Sequence, residues 1–223
     1  AQSIKNYENL FGQDLDDDGA IGISISTLTS SKYDTNGWLL KKEIDSSGNV
    51  KGLYIVNNEE EESSLISIKD QWGYQFSLDW NSSWGYGSSS SIAQAVEKNT
   101  DGTFSLVVRS TNSYDSSSTS TDWTIYKISS DGTFDWSDST YTSDIKFYET
   151  SLFLDDLNDD GTVGIDFSEL SDISTDTFSE TLKYDADNAY YIYTPDGKYL
   201  PVIEEWGDCL LYTSDAADDS RSG

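Results

Sequence analysis

The 223-residue chain carries 41 acidic against 13 basic side chains, with no histidine, no methionine and one cysteine, for a formal charge of −28. That balance repels nucleic acid and anionic lipid, both of which are bound largely through Lys and Arg, and it points to cations as partners. Without imidazole, histidine metal sites and histidine-based proton transfer are excluded, and the lone thiol of Cys209 allows neither an internal disulfide nor a thiolate zinc site.

The length suits one large β domain or two smaller ones with a buried core. No apolar run approaches the roughly 20 residues of a membrane-spanning helix, so no membrane insertion is expected. With no methionine and no signal-peptide pattern ahead of the first motif, the sequence reads as an excised or processed piece.

In chain order, Ile4, Tyr7 and Phe11 share one helical face, which predicts a short lead-in helix. It runs into DLDDDGAIG, residues 14–22. Asp14, Asp16 and Asp18 stand at positions 1, 3 and 5 of a tight loop, Gly19 supplies the turn at position 6, and the carbonyl of Ala20 at position 7 is expected to point inward. Alternate residues of such a loop can converge their oxygens on a hard divalent cation, and calcium fits better than magnesium, which seldom uses an all-protein cage. The EF-hand rule fails at position 12, where Ile25 replaces the bidentate Glu. Ile21, Ile23 and Ile25 alternate with small or polar residues, predicting that the chain leaves the loop as a strand.

The middle of the chain reads as β. Turns are expected at Thr35-Asn36-Gly37 and Ser47-Gly48-Asn49, and hairpins at Asp101-Gly102 and Asp131-Gly132, giving an antiparallel meander. NNEEEESS and GYGSSSS read as solvent-exposed loops. In WGYQFSLDW, Trp72, Tyr74, Phe76, Leu78 and Trp80 fall on one face of a strand and are expected in the core, with a sugar-stacking platform as the functional alternative. Trp84 and Tyr86, in the glycine-rich turn that follows, are expected to be exposed.

A second lead-in helix follows, with Ile145, Tyr148 and Leu152 on one face, and then a second loop, DLNDDGTVG at residues 156–164. It offers Asp156, Asn158 and Asp160, the turn at Gly161 and the carbonyl of Thr162. Position 12 is Phe167, and Val163, Ile165 and Phe167 predict a second exit strand. The missing ligand has three candidate sources, Glu8 and Glu149 on the helices or Asp166. An ordinary Asp-Gly turn would account for one such loop, whereas the pattern kept twice favours calcium. The correspondence extends past the loops: Leu10-Phe11 matches Leu152-Phe153, Asp34-Thr35 matches Asp176-Thr177, Leu40-Lys41 matches Leu182-Lys183, and Trp72-Gly73 matches Trp206-Gly207 after a deletion.

The expected organisation is a lead-in helix and calcium loop at 1–22, a complete β module at 23–142, a second helix and loop at 143–166, and the incomplete start of the next module at 167–208. Looser packing is expected in that last part. Residues 209–223 contain CLLYTSDAADD, which matches one reading frame of a common transposase sequencing adapter and is assigned to a non-native tail. A disordered acidic tail is the alternative.

The stretches YENLFGQDLDDDGAIG, AVEKNTDGTFSLVVRS, TDWTIYKISSDGTFDW and FYETSLFLDDLNDDGTVG resemble the tryptophan-rich repeat domain of large secreted calcium-binding proteins of cyanobacteria and other bacteria. The resemblance covers residues 1–208. It implies an extracellular or cell-surface repeat module that often accompanies glycine-rich calcium repeats. The family loop has Gly at position 4, where this chain has Asp17 and Asp159, residues that tolerate left-handed backbone angles.

The expected fold is therefore all-β, mainly an antiparallel meander of sandwich or barrel type, with short helices leading into calcium-binding loops. Three functions compete. A structural or adhesive module would be stabilised by Ca²⁺ after export, with neighbouring repeat modules as partners. A carbohydrate-binding module would present exposed aromatics to cell-surface or extracellular polysaccharide. A glycoside hydrolase needs only two carboxylates, but 41 acidic residues guarantee a pair somewhere, so the chain is not expected to be an enzyme.

Overall fold

The computed structural model describes residues 4–15, 17, 22–34, 37–57, 65–75, 77–114, 118–185 and 189–202. The chain is mostly β. Helix α1 (Ile4–Phe11) precedes a 3-10 turn (Ile25–Thr27) and a first sheet of β1 (Thr29–Ser30), β2 (Trp38–Ile44), β3 (Val50–Asn57) and β4 (Ile66–Ser67), paired in that order. The second sheet contains β5 (Lys69–Asp70), β6 (Trp80–Trp84), β7 (Gly87–Lys98), β8 (Phe104–Ser113), β9 (Thr119–Ile128) and β10 (Thr133–Thr142). Its order is β5-β10-β9-β8-β7-β6, a curled half-barrel, antiparallel except where β5 joins β10. Then come α2 (Lys146–Tyr148), a π turn (Glu149–Phe153), and a third sheet of β11 (Ser171–Thr175), β12 (Thr181–Tyr184), β13 (Tyr190–Tyr193) and β14 (Tyr199–Pro201).

Strand alternation gives the second sheet two apolar faces. On one, Phe104, Leu106 and Val108 of β8 join Ala93, Val96, Ile128 and Phe134, and pack on Leu40, Leu53 and Ile55 of the first sheet. On the other, Ala95, Val107, Trp123 and Ile125 pack on Ile145, Phe153 and Leu157, which brings the second helix and loop onto the sheet. A bulge between Ala93 and Ala95 decides how that loop is held. It frees Gln94, fully buried, to donate from Nε2 to the Leu157 carbonyl (2.8 Å) and accept from Trp123 Nε1 (3.0 Å), while its own carbonyl accepts from Ser31 Oγ.

Asp34 ties the first two sheets together. Its buried carboxylate accepts from Leu40 N (2.6 Å) on β2 and Val96 N (3.1 Å) on β7.

The third sheet has the connectivity and register of the first. Thr29 faces Lys42 and Ser30 faces Lys41, as Ser171 faces Tyr184 and Asp172 faces Lys183. Leu40 pairs with Ile55 as Leu182 pairs with Ile192. Tyr54 and Tyr191 are both buried, and each donates its hydroxyl to an acidic side chain, Glu43 (3.0 Å) and Asp185 (3.1 Å) respectively.

Three sequence expectations are corrected. Among the described residues the loops do not continue as strands, Ile21 lying outside them. The backbone turns at Gly22 (φ 73°) and Gly164 (φ 76°), conformations that glycine adopts freely, and a 3-10 turn or a bend follows before β1 and β11 begin. The aromatic stripe is not a core face: Trp72, Tyr74 and Trp80 are exposed, and of the described members only Leu78 is buried, Phe76 lying outside the described residues. Asp70 interrupts the strand by accepting from the amides of Trp72 (2.9 Å) and Tyr74 (2.8 Å), which folds the segment into a turn. Finally, Ser88–Ser91 are not a loop. They lie within β7, paired on both sides with β6 and β8, and carry the hairpin ladder beyond the apolar core. Trp84 and Tyr86 are exposed, as expected.

Candidate metal centre

Of the first loop, Asp14 is described and half-buried, whereas Asp16, Asp18 and Ala20 lie outside the described residues. The second loop is described throughout. Its side chains fold over one turn of backbone: Asp156 accepts from the amides of Asp160 (3.2 Å) and Gly161 (2.9 Å), Asn158 Oδ1 from Asp160 N (2.9 Å), and Asp160 Oδ1 from Thr162 N (2.8 Å). Asn158 Nδ2 also donates to Asp160 Oδ2 (2.9 Å). Positions 1, 3 and 5 are therefore mutual neighbours.

Both loops are closed at the base by a glutamate from the preceding helix. Glu8 accepts from Leu15 N (2.8 Å) and Gly22 N (2.9 Å), and Glu149 from Leu157 N (2.7 Å), Asn158 N (3.0 Å) and Gly164 N (2.9 Å). Each glutamate is fully buried. Burial pushes the Glu149 carboxyl up to about 7, against its three amide donors, with the neighbouring Asp156 charge adding to the rise. The two glutamates thus clasp the loop backbone, and Asp166 accepts from Ser168 N (2.9 Å) and Ser168 Oγ (2.6 Å).

The helices reach the same end point by different routes. In the first, Gly12 (φ 63°) donates to the Glu8 carbonyl four residues back (2.7 Å); in the second, Leu154 (φ 57°) donates to the Glu149 carbonyl five residues back (2.7 Å). The second helix holds one more residue between its glutamate and its loop, and a π turn absorbs it. Another residue at Gly164 would be strained, because its φ is one that L side chains rarely adopt and a Cβ there would sit 1.6 Å from Thr150 Oγ1, forcing that side chain to move.

At loop position 4, Asp17 (φ 57°) and Asp159 (φ 64°) both adopt the left-handed conformation. Asp159 anchors the loop to the sheet by accepting from Arg109 Nη1 (3.0 Å), Tyr33 OH (3.0 Å) and Lys32 Nζ (3.3 Å). Burial pushes its carboxyl up, but these donors outweigh it and hold it below the ordinary range. Beside the loop lies a cleft of about 290 Å³ lined by Asp160, Asp166, Glu169 and Asp185, with Lys146 as its basic member.

Among the described residues, no three acidic, histidine or cysteine side chains gather as a metal-binding group. The second loop supplies two carboxylates because its third position is Asn158. The donor set still suits a hard cation: two carboxylates, an amide oxygen and the backbone carbonyl of Thr162, all oxygen, on one tight loop. The carboxylate oxygens that accept one amide hydrogen keep lone-pair capacity for a second partner.

Sequence reading named Glu8 and Glu149 beside the loops as candidate ligands, but not the backbone clasp they form or the groups that seat the second loop on the sheet. Gln94, Arg109 and Tyr33 carried no visible signal, since a β-bulge and an ion pair between residues far apart in sequence leave no periodic trace. Among the described residues, no helix is long and apolar enough to cross a membrane. Compared with protein-family models, with curated proteins and with solved structures, the chain matches none of them.

Proposed function

We propose that the chain is an extracellular calcium-binding structural or adhesive repeat module, of the tryptophan-rich type that its sequence resembles. The observation that carries this reading is the loop skeleton built twice, with a buried glutamate clasping residues 15 and 22 or 157 and 164 and a left-handed aspartate at position 4. Ordinary turns elsewhere in this chain, such as the one at Asp45, use an aspartate to hold the next few amides and need no such clasp. Asp14, Asp16, Asp18 and the Ala20 carbonyl would hold one Ca²⁺, and Asp156, Asn158, Asp160 and the Thr162 carbonyl the other. The cation would neutralise carboxylates whose mutual repulsion weakens the compact state, so folding is favoured where calcium is abundant, outside the cell.

Calorimetric titration of the chain, with melting curves in calcium and in chelator, tests this. Two sites are expected, with a stabilisation of about 2.7 kcal/mol at a hundredfold excess over Kd for each. For a chain of this length that raises Tm by several degrees, and the double substitution Asp156→Ala, Asp160→Ala should leave one site. Equal Tm in calcium and chelator would reduce both loops to turns.

A second reading, carbohydrate binding, is favoured by the exposure of Trp80, Trp84 and Tyr86 on β6 and the turn after it. A glycan array probed with the intact chain decides it.

A further inference from the structure

We infer that the apolar face of α1 is a docking surface for the β-sheet of a preceding module of the same kind, the inference resting on the repeat reading proposed above.

The two helix–loop units carry the same side chains at the same places. Ile4, Tyr7, Phe11 and Leu15 correspond to Ile145, Tyr148, Phe153 and Leu157. In the second unit, Ile145, Phe153 and Leu157 are 1%, 0% and 0% exposed, packed on Ala95, Val107, Trp123 and Ile125. In the first unit, Ile4, Phe11 and Leu15 are 45%, 63% and 42% exposed. Glu8 is as buried as Glu149, so the first unit has its internal clasp in place, and the difference lies on its outward face. An isolated Leu on a surface means little, but a row of Ile, Tyr, Phe and Leu along one helix and the start of its loop is a patch that a partner covers.

What covers it can be read from the second unit. The matching surface is a sheet face made of small and aromatic side chains in the positions of Ala95, Val107, Trp123 and Ile125. Beside it lies a basic spot in the position of Arg109 and Lys32. Charge agrees with shape: Asp159 sits on that spot, and Asp17 holds the same left-handed position in the first unit and is exposed. A glutamine in the position of Gln94 would take the carbonyl of Leu15 as Gln94 takes that of Leu157. The face cannot be met by this sheet in a second copy of the chain, because the copy's own Ile145–Leu157 segment already covers it.

The test grafts residues 4–15 in place of residues 145–157 within the full chain. A matching face keeps Trp123 buried, read from its fluorescence, and keeps Tm within about 3 °C of the parent. A second graft adds one serine between Asn9 and Leu10 to restore the π-turn spacing. Loss of Trp123 burial in both grafts overturns the inference. Phe11→Asp should then lower Tm sharply in the better graft while leaving the parent chain unchanged, and equal effects in both would overturn it. Concentration-dependent dimerisation of the parent, abolished by Phe11→Asp, would place a second copy on this face and also overturn it. Grafts that dock but take up no calcium retain the junction and remove only the calcium reading.

Discussion

At the scale of single residues, the buried acids decide how the module responds to pH. Burial pushes Asp34 up to about 7, opposed by the Leu40 and Val96 amides and reinforced by the Glu97 and Asp155 carboxylates. Burial and Asp155 likewise push Glu97 up to about 7. Between the ordinary carboxylate value and about 7, the folded chain therefore holds protons that the unfolded chain has released. The linkage sign follows: stability falls as pH rises through that window and levels off above it. In chelator, Tm should be several degrees higher at pH 5.5 than at pH 8, and Asp34→Asn should flatten the slope and raise Tm at pH 8. A melt series across that range checks both, and an unchanged slope in Asp34→Asn would assign the effect to Glu97, Glu149 and general charge repulsion instead. Below about pH 4 the trend reverses, because turn aspartates such as Asp45, held low by its Asn49 and Lys51 donors, then take up protons.

At the scale of elements, the second lead-in helix shows an insertion absorbed without loss of register. Glu149 and Leu157 meet at 2.7 Å as Glu8 and Leu15 meet at 2.8 Å, although one spacing is a residue longer. Deleting Ser151 should convert the π turn to an ordinary helical turn and leave the far-UV spectrum and Tm close to those of the parent, because the first unit already uses the shorter form. A collapse of Tm would show that the π geometry is needed to seat Phe153. The same elements show what sequence makes legible. The helical faces were readable because Ile, Tyr and an aromatic or Leu recur at helical spacing. The hairpins at Gly102 and Gly132 were readable because their turns need left-handed glycines (φ 85° and 86°). The exit strands were misread because apolar alternation around Ile23 and Ile165 says nothing about a glycine turn fixed by a distant glutamate. The aromatic stripe was misread for a similar reason: alternation counts only while the strand continues, and Asp70 ends it.

At the scale of the whole molecule, the first and third sheets share a register but not a degree of burial. Leu40 and Ile55 are fully buried against the second sheet, whereas Leu182 and Ile192 are half-buried. Apolar burial is the main source of stability, so the third sheet should open first. Hydrogen exchange should find the amides of β12 and β13 exchanging well before those of β2 and β3, and equal protection would mean that the third sheet is stable without a partner. The expectation of looser packing in residues 167–208 came from the break in the internal correspondence. The cluster that does form there, around Leu170, Ala189 and Tyr191, was not foreseen, because it depends on Tyr191 turning inward to Asp185.

The register shared by those sheets has one more consequence. Leu182 follows Leu40 by 142 residues, Ile192 follows Ile55 by 137, and Leu200 follows Ile66 by 134. In the first hairpin the shortening removes the rungs Glu43–Gly52 and Ile44–Val50 and keeps the tip, Asp185 and Ala189 being bonded as Asp45 and Asn49 are, while the rungs shared by the two sheets keep step. A string of such units could gain or lose rungs toward its hairpin ends without disturbing a single junction. Its pitch would then be set by how the sheets and helices dock, and a fixed sequence period would be a poor ruler for counting the units.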